Sequence, residues 1–259
     1  MNDRGNISAV IPTLNEATML PSTIDALRSV PQVTQVIVVD GGSDDGTVGL
    51  ALAAGCEVLT APRGRGSQLR AGAGAAAGEI LWFVHADTLV PPESGSSMLL
   101  ALAARPSAVG GAFRVRFSPH GSPGGNGTIA HRAFTTGARA LQAAGGLYGD
   151  AALFVRRSAY DTAGGISEQP LFEDVDLVRR LRRMGSMVRL PVYVETSDRR
   201  IAGGRAVPTL ALWAWLHLLY GLRVSPDILA RIYAPVRGRA GRGRRPAASG
   251  KMRGNGEAP

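Results

Sequence analysis

The N-terminal part of the chain alternates between short apolar runs and segments with helical spacing, and this alternation constrains the fold more than any other feature. Apolar runs typical of buried strands occupy residues 7–13, 35–39, 57–59 and 80–84. The segments between and after them have the spacing of helices, at residues 20–29, 47–54, 67–77 and 94–104. Strands and helices that alternate in this way form a parallel sheet with right-handed crossovers. We therefore predict an α/β fold, with a Rossmann-like, mostly parallel sheet flanked by helices.

The pattern changes after residue 91. Strands are predicted at residues 112–117 and 152–155, and a pair of strands within 188–194. A loop rich in Gly, Pro, Ser and Asn over 118–128 and a helix over 129–144 separate the first two strands. A later helix begins near Glu173-Asp174, and its predicted buried face consists of Leu177, Leu181 and Met184.

Polar turns follow the first four strands. They are Thr13–Glu16, Asp40–Thr47, Gly64–Arg65 and His85–Thr88. The carboxyl ends of parallel strands meet at one edge of the sheet, where ligands bind in open α/β folds. Each turn alone is typical of ordinary turn chemistry. Four of them at one edge predict a cleft lined with carboxylates and backbone N–H groups.

The turn after residues 80–84 contains the clearest candidate for a metal ligand. Asp87 stands where a divalent cation that bridges phosphates would bind, and His85 lies two residues earlier on the same side of the chain. The alternative is that Asp87 only caps the helix that follows Pro91-Pro92. This segment by itself does not separate the two interpretations.

Several common nucleotide and metal motifs are excluded. Gly64-Arg65-Gly66 does not complete a dinucleotide fingerprint, because Leu69 stands where the third glycine belongs, and no Walker A sequence occurs. The acidic turn at 40–46 fails the EF-hand pattern, since its glycine falls one place late. A single cysteine, Cys56, excludes an internal disulfide and a cysteine-based metal site.

The net charge of +9 is concentrated at the C-terminal end. Seven Arg and Lys residues against one Glu give residues 237–259 a charge of +6, which leaves +3 for residues 1–236. We therefore predict a disordered basic tail at 237–259 and no specific nucleic-acid partner. The N-terminus lacks the apolar region of a signal peptide, so we expect a cytoplasmic protein.

An uncharged run of 17 residues, 206–222, precedes the tail. This length is at the lower limit for spanning a bilayer, and Pro208 and Gly221 shorten the helix that it could form. We predict that residues 206–236 form apolar helices, packed on the preceding domain or lying at the membrane surface. Trp213, Trp215 and Tyr220 suit an interfacial position, which would make the protein peripheral on the inner face of the membrane.

The turns and two later segments together resemble a known family. They are Val10-Ile11-Pro12-Thr13-Leu14-Asn15-Glu16, the acidic turn from Asp40 to Thr47, Gly64-Arg65-Gly66, His85-Ala86-Asp87-Thr88 and Glu173-Asp174. In order and spacing they resemble family 2 glycosyltransferases with the GT-A fold. The likeness extends over residues 7–200 and is greatest to a small bacterial branch that shares Tyr148-Gly149-Asp150 and Thr196-Ser197-x-Arg199-Arg200. It implies a GT-A domain at 1–205 with a C-terminal helical extension.

The resemblance implies roles for individual residues. Asp40 would accept a hydrogen bond from a nucleobase, and Pro12, Thr13 and Glu16 would line the base and ribose. Asp87 would hold Mg²⁺ or Mn²⁺ against the diphosphate, in a sequence where His85 replaces the usual first acid. His85 is then either a second ligand or a histidine that only forms hydrogen bonds at the strand end. Arg65 would contact the diphosphate, and Arg199 and Arg200 would neutralise it as it leaves.

Glu173 and Asp174 are the candidate catalytic acids. An inverting transfer needs one base to deprotonate the acceptor hydroxyl as it attacks the anomeric carbon. Two acids in a first helical turn also stabilise the helix dipole, which is the structural alternative. Asp174 lies three residues before Leu177 and shares its face, so we predict that Asp174 is the base. Glu173 would position the acceptor or cap the turn.

The predicted function is therefore an inverting transfer of a sugar from a nucleotide diphosphate sugar, expected to be a UDP-sugar, to an acceptor hydroxyl. The acceptor, a lipid or a small molecule, is not encoded in these motifs. One alternative is a nucleotidyltransferase, which would have a basic, glycine-rich loop directly after the first strand. The other is a non-catalytic nucleotide-sugar binding module, which would not need Asp87 and Asp174 together.

Overall fold

The computed structural model describes residues 6–118, Thr136, 151–197 and 206–240. Within them, one sheet has the strand order β3-β2-β1-β4-β7-β6-β8-β5. Its strands are β1 (Ile7–Thr13), β2 (Val33–Asp40), β3 (Glu57–Thr60), β4 (Ile80–Phe83), β5 (Thr88–Leu89), β6 (Ala108–Ser118), β7 (Phe154–Arg156) and β8 (Ser186–Ser197). The helices are α1 (Leu20–Arg28), α2 (Thr47–Ala53), α3 (Arg65–Ala75), α4 (Ser94–Ala104), α5 (Arg157–Thr162), α6 (Glu173–Leu181), α7 (Ala206–Gly221) and α8 (Pro226–Ala240).

The N-terminal half of the sheet is parallel, as predicted. β1 lies between β2 and β4 and runs parallel to both, and β3 pairs in parallel with the other side of β2. β1 is buried along nearly its whole length, as expected of a strand covered on both faces. β1 continues through Pro12 to Thr13, which pairs with Asp40. The carboxyl ends of these strands therefore meet at one edge.

The C-terminal half of the sheet is mixed. β7 is antiparallel to both β4 and β6, whereas β6 and β8 are parallel and β5 is antiparallel to β8. The prediction of two strands within 188–194 is wrong, since β8 is one strand of 12 residues. Pro191 interrupts the sequence pattern, and the register of the β6–β8 ladder shifts between Ala112 and Arg114, opposite Arg189 and Tyr193. This irregularity accommodates a proline that cannot donate to the ladder.

The buried face of α6 is shorter than predicted. Leu177 and Leu181 are fully buried, but Met184 is 41% exposed. The helix ends at Leu181, and the backbone N–H groups of Met184 and Gly185 donate to the Leu181 carbonyl in a closing turn. Met184 therefore no longer follows the helical spacing that placed it with the buried residues.

The helices α7 and α8 form a C-terminal hairpin, defined by residues 206–240. Its buried residues Leu216 and Leu229 form a small cluster with Phe172, separate from the main core. The predicted tail begins too early, because α8 continues through residues 237–240. In the described ranges, no helix has both the length and the apolar character needed to cross a membrane.

Several predicted features lie outside the described residues. They are the loop over 118–128 apart from Ser118, the helix over 129–144 apart from Thr136, Tyr148-Gly149-Asp150, Arg199-Arg200 and the tail from residue 241.

Two glycines of α3 give a matched test of how closely this helix approaches the sheet. A Cβ at Gly72 would collide with Val10 Cγ1 and lie 2.9 Å from Val39 Cγ2, whereas a Cβ at Gly74 would meet nothing within 4 Å. We expect Gly72→Ala to lower the free energy of unfolding by about 1–3 kcal/mol through overpacking. Gly74→Ala should raise it by about 0.5–1 kcal/mol through helix propensity. Urea denaturation of both variants would check this, and equal effects would contradict the close packing.

Candidate active site

Asp40 ends β2 and organises the loop that follows it. Its Oδ2 accepts hydrogen bonds from the backbone N–H groups of Gly42 and Ser43, both at 2.9 Å, and its Oδ1 accepts one from the Ser43 hydroxyl at 2.5 Å. Burial raises the pKa of Asp40, but these hydrogen bonds to the ionised form outweigh burial and hold the pKa below its usual value. Asp40 is therefore a carboxylate held by its own loop, and its contact with a nucleobase stays a prediction.

The loops after β1 and β2 are joined by side-chain hydrogen bonds. The Asn15 N–H donates to Ser43 Oγ at 2.8 Å, and the Asp44 N–H donates back to Asn15 Oδ1 at 2.9 Å. The Glu16 N–H donates to Thr47 Oγ1 at 2.9 Å. Asn15 adopts a left-handed conformation with φ of 57°, which asparagine tolerates. The segment predicted to line the base and ribose is thus fixed against the Asp40 loop.

Gln68 is a structural residue of this edge that the sequence analysis missed. Its Nε2 donates to the carbonyl of Thr13 at 2.7 Å and to the carbonyl of Val39 at 2.8 Å, so it joins the ends of β1 and β2. Gly41 lies directly against it, because a Cβ there would be 3.0 Å from Nε2. A glutamine within a helix of small residues is normally exposed, so no sequence signal marks it.

The turn that carries Asp87 is held between α1 and β8. The Thr23 hydroxyl donates to the Ala86 carbonyl at 2.8 Å, and the Ser197 N–H donates to the Asp87 carbonyl at 3.2 Å. The Thr196 hydroxyl lies 3.5 Å from Asp87 Oδ1. The alternative role of Asp87 as a helix cap is wrong, because the N-cap residue of α4 is Glu93.

The residues around Asp87 could hold a metal ion only together with a bound ligand that supplies further oxygen atoms. Among the residues that the structure describes, no three His, Cys, Asp or Glu side chains are grouped so that they could hold a metal ion. Mg²⁺ is commonly bound through one or two carboxylates together with phosphate oxygens and water. Asp87 suits such a site, and half-buried His85, two residues earlier, stays a predicted second ligand.

The two candidate catalytic acids meet Arg65. Arg65 Nε lies 3.2 Å from Glu173 Oε1, and Arg65 Nη2 lies 3.7 Å from Asp174 Oδ2. Glu173 and Asp174 are only 3% and 8% exposed, so both are turned into the molecule. Asp174 Oδ1 also accepts a hydrogen bond from the Val175 N–H at 2.8 Å. Arg65 therefore lies within ion-pair distance of both acids. Its contact with a diphosphate stays a prediction.

A close backbone approach makes this ion pair possible. Arg65 is the first residue of α3 and Glu173 is the first residue of α6, so the N-termini of the two helices face each other. A Cβ at Gly66 would lie 2.5 Å from the Ser167 carbonyl oxygen. Glycine at 66 thus lets the segment before α6 pass directly over the start of α3.

The described site residues converge on one edge of the sheet. Thr13 and Asp40 end the neighbouring strands β1 and β2, Asp87 follows β4, and Arg65 lies in the helix after β3. Through Arg65, the acid pair of α6 reaches the same edge. Arg199 and Arg200, the predicted diphosphate ligands, lie outside the described residues.

Comparison with known proteins identifies the family. Residues 8–164 match the family model for Glycosyl transferase family 2. The chain belongs to this family. The predicted resemblance is therefore confirmed. The matched residues include the ends of β1 and β2 with their joined loops, and they end before the acid pair and the C-terminal hairpin.

Individual relatives either match a shorter part of the chain or are more distant in sequence. Glucosyl-3-phosphoglycerate synthase from Mycobacterium tuberculosis is 32% identical over 96 residues, which are 33% of this chain and only 30% of that protein. The structure of the M. tuberculosis synthase with Mn²⁺, UDP and glucosyl-3-phosphoglycerate is similar, with a TM-score of 0.52 and 22% identity over 74% of this chain and 70% of that chain. Residues 1–349 of TarS from S. aureus, solved with UDP, give a TM-score of 0.55 and 13% identity over 80% of this chain and 64% of that chain. These similarities confirm the predicted GT-A fold, a mixed α/β sheet with flanking helices.

Proposed function

We propose that this family 2 protein is an inverting glycosyltransferase that moves a sugar from a UDP-sugar to an acceptor hydroxyl. The observation that carries the proposal is the meeting of Arg65 with the buried acids Glu173 and Asp174 at the edge that also holds Asp40 and Asp87. Such a transfer requires a bound nucleotide, a metal-bound diphosphate and a base. The candidates at this edge are Asp40 for the nucleotide, Asp87 for the metal and Asp174 for the base.

The choice of UDP rests on the joined loops after β1 and β2, called the nucleotide edge from here on, and on the relatives. The joined loops of β1 and β2 form a fixed rim beside Asp40, and two similar structures were solved with UDP. The M. tuberculosis synthase was solved with Mn²⁺ and with Mg²⁺. In this chain, Asp87 would hold the same kind of ion, with His85 as a candidate second ligand. The ion would offset the charge of the leaving diphosphate.

The proposed chemistry is a single displacement. The acceptor oxygen attacks the anomeric carbon as the bond from that carbon to the diphosphate oxygen breaks, and UDP leaves with the bonding electrons. The acceptor proton passes to the carboxylate of Asp174, which acts as general base. Glu173 positions the acceptor, and Arg65 orients both carboxylates. Arg199 and Arg200 are proposed to neutralise the leaving diphosphate.

The alternatives fit this chain less well. A nucleotidyltransferase would need a basic, glycine-rich loop after β1, but this chain has Thr13-Leu14-Asn15-Glu16, tied to the Asp40 loop by hydrogen bonds. A non-catalytic binding module would have no use for two buried carboxylates held by one arginine. A measurement of UDP release separates a transferase from a binding module directly.

The first test of this function concerns the donor and the metal. UDP with Mn²⁺ at about a hundred times its dissociation constant should stabilise the protein by about 2.7 kcal/mol, and ADP should do so much less. Asp87→Ala should lower UDP release from the best donor sugar at least about a hundredfold, because charge stabilisation by the metal is lost. Asp161→Ala, which removes an exposed carboxylate of α5, is the matched control. Full activity of Asp87→Ala in the presence of a chelator would refute the metal role.

The second test separates the two acids. Asp174→Asn keeps the shape of the side chain but removes the base, so turnover at saturating donor should fall at least about a hundredfold while UDP affinity is preserved. Glu173→Gln should raise the KM for the acceptor and change kcat less. Steady-state kinetics of both variants would show this. A dead Glu173→Gln beside a fully active Asp174→Asn would reassign the base.

We also propose that the protein lies in the cytoplasm and binds peripherally to an anionic membrane surface through the C-terminal hairpin. Trp215, Leu218 and Leu222 are 53%, 55% and 68% exposed and recur at helical spacing along one side of α7 and the turn that follows it. Ile228 and Ile232 are exposed on α8. The basic residues of 237–259 continue from α8 and would attract anionic lipid headgroups. Interfacial helices combine such apolar and basic surfaces.

Vesicle binding tests the membrane proposal. The protein should sediment with vesicles of phosphatidylcholine and phosphatidylglycerol in a two-to-one ratio, and much less with phosphatidylcholine alone. The triple variant Trp215→Ser, Leu218→Ser, Leu222→Ser should lose this binding. A matched control triple, Leu50→Ser, Leu52→Ser, Leu100→Ser, removes exposed leucines of α2 and α4 and should retain it. A different result would assign this face to a second copy of the chain. In that case the protein would be a dimer in solution, would bind neither kind of vesicle, and would become a monomer in the first triple variant.

A further inference from the structure

Phe172, the residue directly before the acid pair, has an unusual backbone conformation. Its φ of 65° and ψ of 23° are left-handed, which costs an aromatic residue roughly 1–2 kcal/mol. Phe172 is the N-cap of α6, and its carbonyl accepts the hydrogen bond of the Asp176 N–H that closes the first turn. The conformation of this one residue therefore sets the direction in which Glu173 and Asp174 leave the backbone.

The ring of Phe172 is held by the C-terminal hairpin. It stacks on Tyr220, with ring centroids 4.6 Å apart and planes inclined by 22°. It also meets His217 edge to face at 4.8 Å. Both partners belong to α7. The His217 ring is itself oriented by a hydrogen bond between Nδ1 and the Trp213 carbonyl at 2.8 Å.

Tyr220 contacts both ends of α6. Besides Phe172, its ring lies under the guanidinium of Arg179, with Arg179 Cζ 5.2 Å from the ring centroid. Arg179 lies in the last turns of α6. One aromatic ring of the hairpin thus contacts two side chains of α6, one from its N-cap and one from its C-terminal part, seven residues apart.

The first turn of α6 is consequently held from two sides. Apolar residues before and after the acids, Leu171, Phe172 and Val175, pack into the hairpin cluster around Leu216. The acids between them are buried and meet Arg65 of α3. The hairpin supplies apolar support, and α3 supplies charge.

We propose that the C-terminal hairpin is a positioning element of the active site, and that the Phe172–Tyr220 stack keeps the acid pair aimed at the acceptor. The role in turnover rests on the proposed transferase function. Phe172 and Tyr220 touch no substrate in this proposal and act through Glu173 and Asp174. Their removal therefore affects the chemical step and leaves donor binding unchanged. A misplacement of about 1 Å is enough to cost a hundredfold in rate.

The test compares two substitutions at one position in the full-length protein. Tyr220→Ala removes the stack, whereas Tyr220→Phe keeps the ring and removes only the hydroxyl. Hydrogen exchange followed by mass spectrometry reports on the amides of residues 171–177. We expect exchange there to be at least about tenfold faster in Tyr220→Ala, because the first turn of α6 opens locally, and unchanged in Tyr220→Phe.

Kinetics provide the second measurement. UDP release in the presence of Mn²⁺, with water as acceptor and the best donor sugar, should fall at least about tenfold in kcat for Tyr220→Ala. UDP affinity, measured by calorimetry, should stay within about twofold of the wild type because the nucleotide edge is untouched. Tyr220→Phe should match the wild type in both. If Tyr220→Ala does not fold, Tyr220→Leu keeps apolar burial in the cluster and removes the stack.

The outcomes distinguish the two proposals. A wild-type protein that turns over no nucleotide sugar refutes the transferase function, while the exchange of residues 171–177 still tests the positioning role. Wild-type exchange and wild-type kcat in a folded Tyr220→Ala or Tyr220→Leu variant would overturn the inference. So would a loss of UDP affinity equal to the loss of kcat, because that pattern indicates general disruption.

Discussion

The contact of Arg65 with Glu173 and Asp174 is the interaction on which the candidate site depends. Two adjacent carboxylates that are both buried repel each other and lose hydration, so they need a cation close by. A guanidinium can meet both at once because it presents several donors in one plane. The contact also joins α3, which follows the proposed nucleotide edge, to α6, which lies beyond the residues that match the family model. One ion-paired group thereby links the two halves of the proposed active site.

The proposed nucleotide edge is held together by hydrogen bonds that satisfy loop and strand-end groups. Asp40 binds the N–H groups of its own loop, Asn15 exchanges hydrogen bonds with that loop, and Gln68 joins the ends of β1 and β2. The lowered pKa of Asp40 has a consequence for stability. A carboxyl group with a depressed folded pKa stabilises the protein above its unfolded pKa, and this contribution is lost as the pH falls through the folded value. The contribution of Asp40 is therefore complete at any pH above the usual pKa of an aspartate and is lost only in acid.

The sequence predicted local structure better than long-range contacts. β1 and α4 were predicted with their observed bounds, because an apolar run and a helical spacing are local signals. β8 was divided because Pro191 interrupts its pattern, and only pairing with β6 shows that the strand continues. The acid pair was found through the family resemblance. Its contact with Arg65 was not, since more than a hundred residues separate the partners and no periodicity relates them. Nothing in the sequence marks Phe172 as left-handed, because that conformation is imposed by packing.

The two supports of α6 differ in chemistry, and each does what the other cannot. An ion pair fixes charge but tolerates movement, because guanidinium and carboxylate groups keep most of their attraction as they slide past each other. Stacked rings and packed aliphatic side chains resist displacement, since a gap of about 0.5–1 Å already removes roughly a quarter to a half of the dispersion attraction. In the described part of the chain, Arg65 provides the first kind of contact and the C-terminal hairpin provides the second. The proposed base, Asp174, needs a partner of opposite charge and a fixed position, which gives the hairpin a reason to pack at the start of α6.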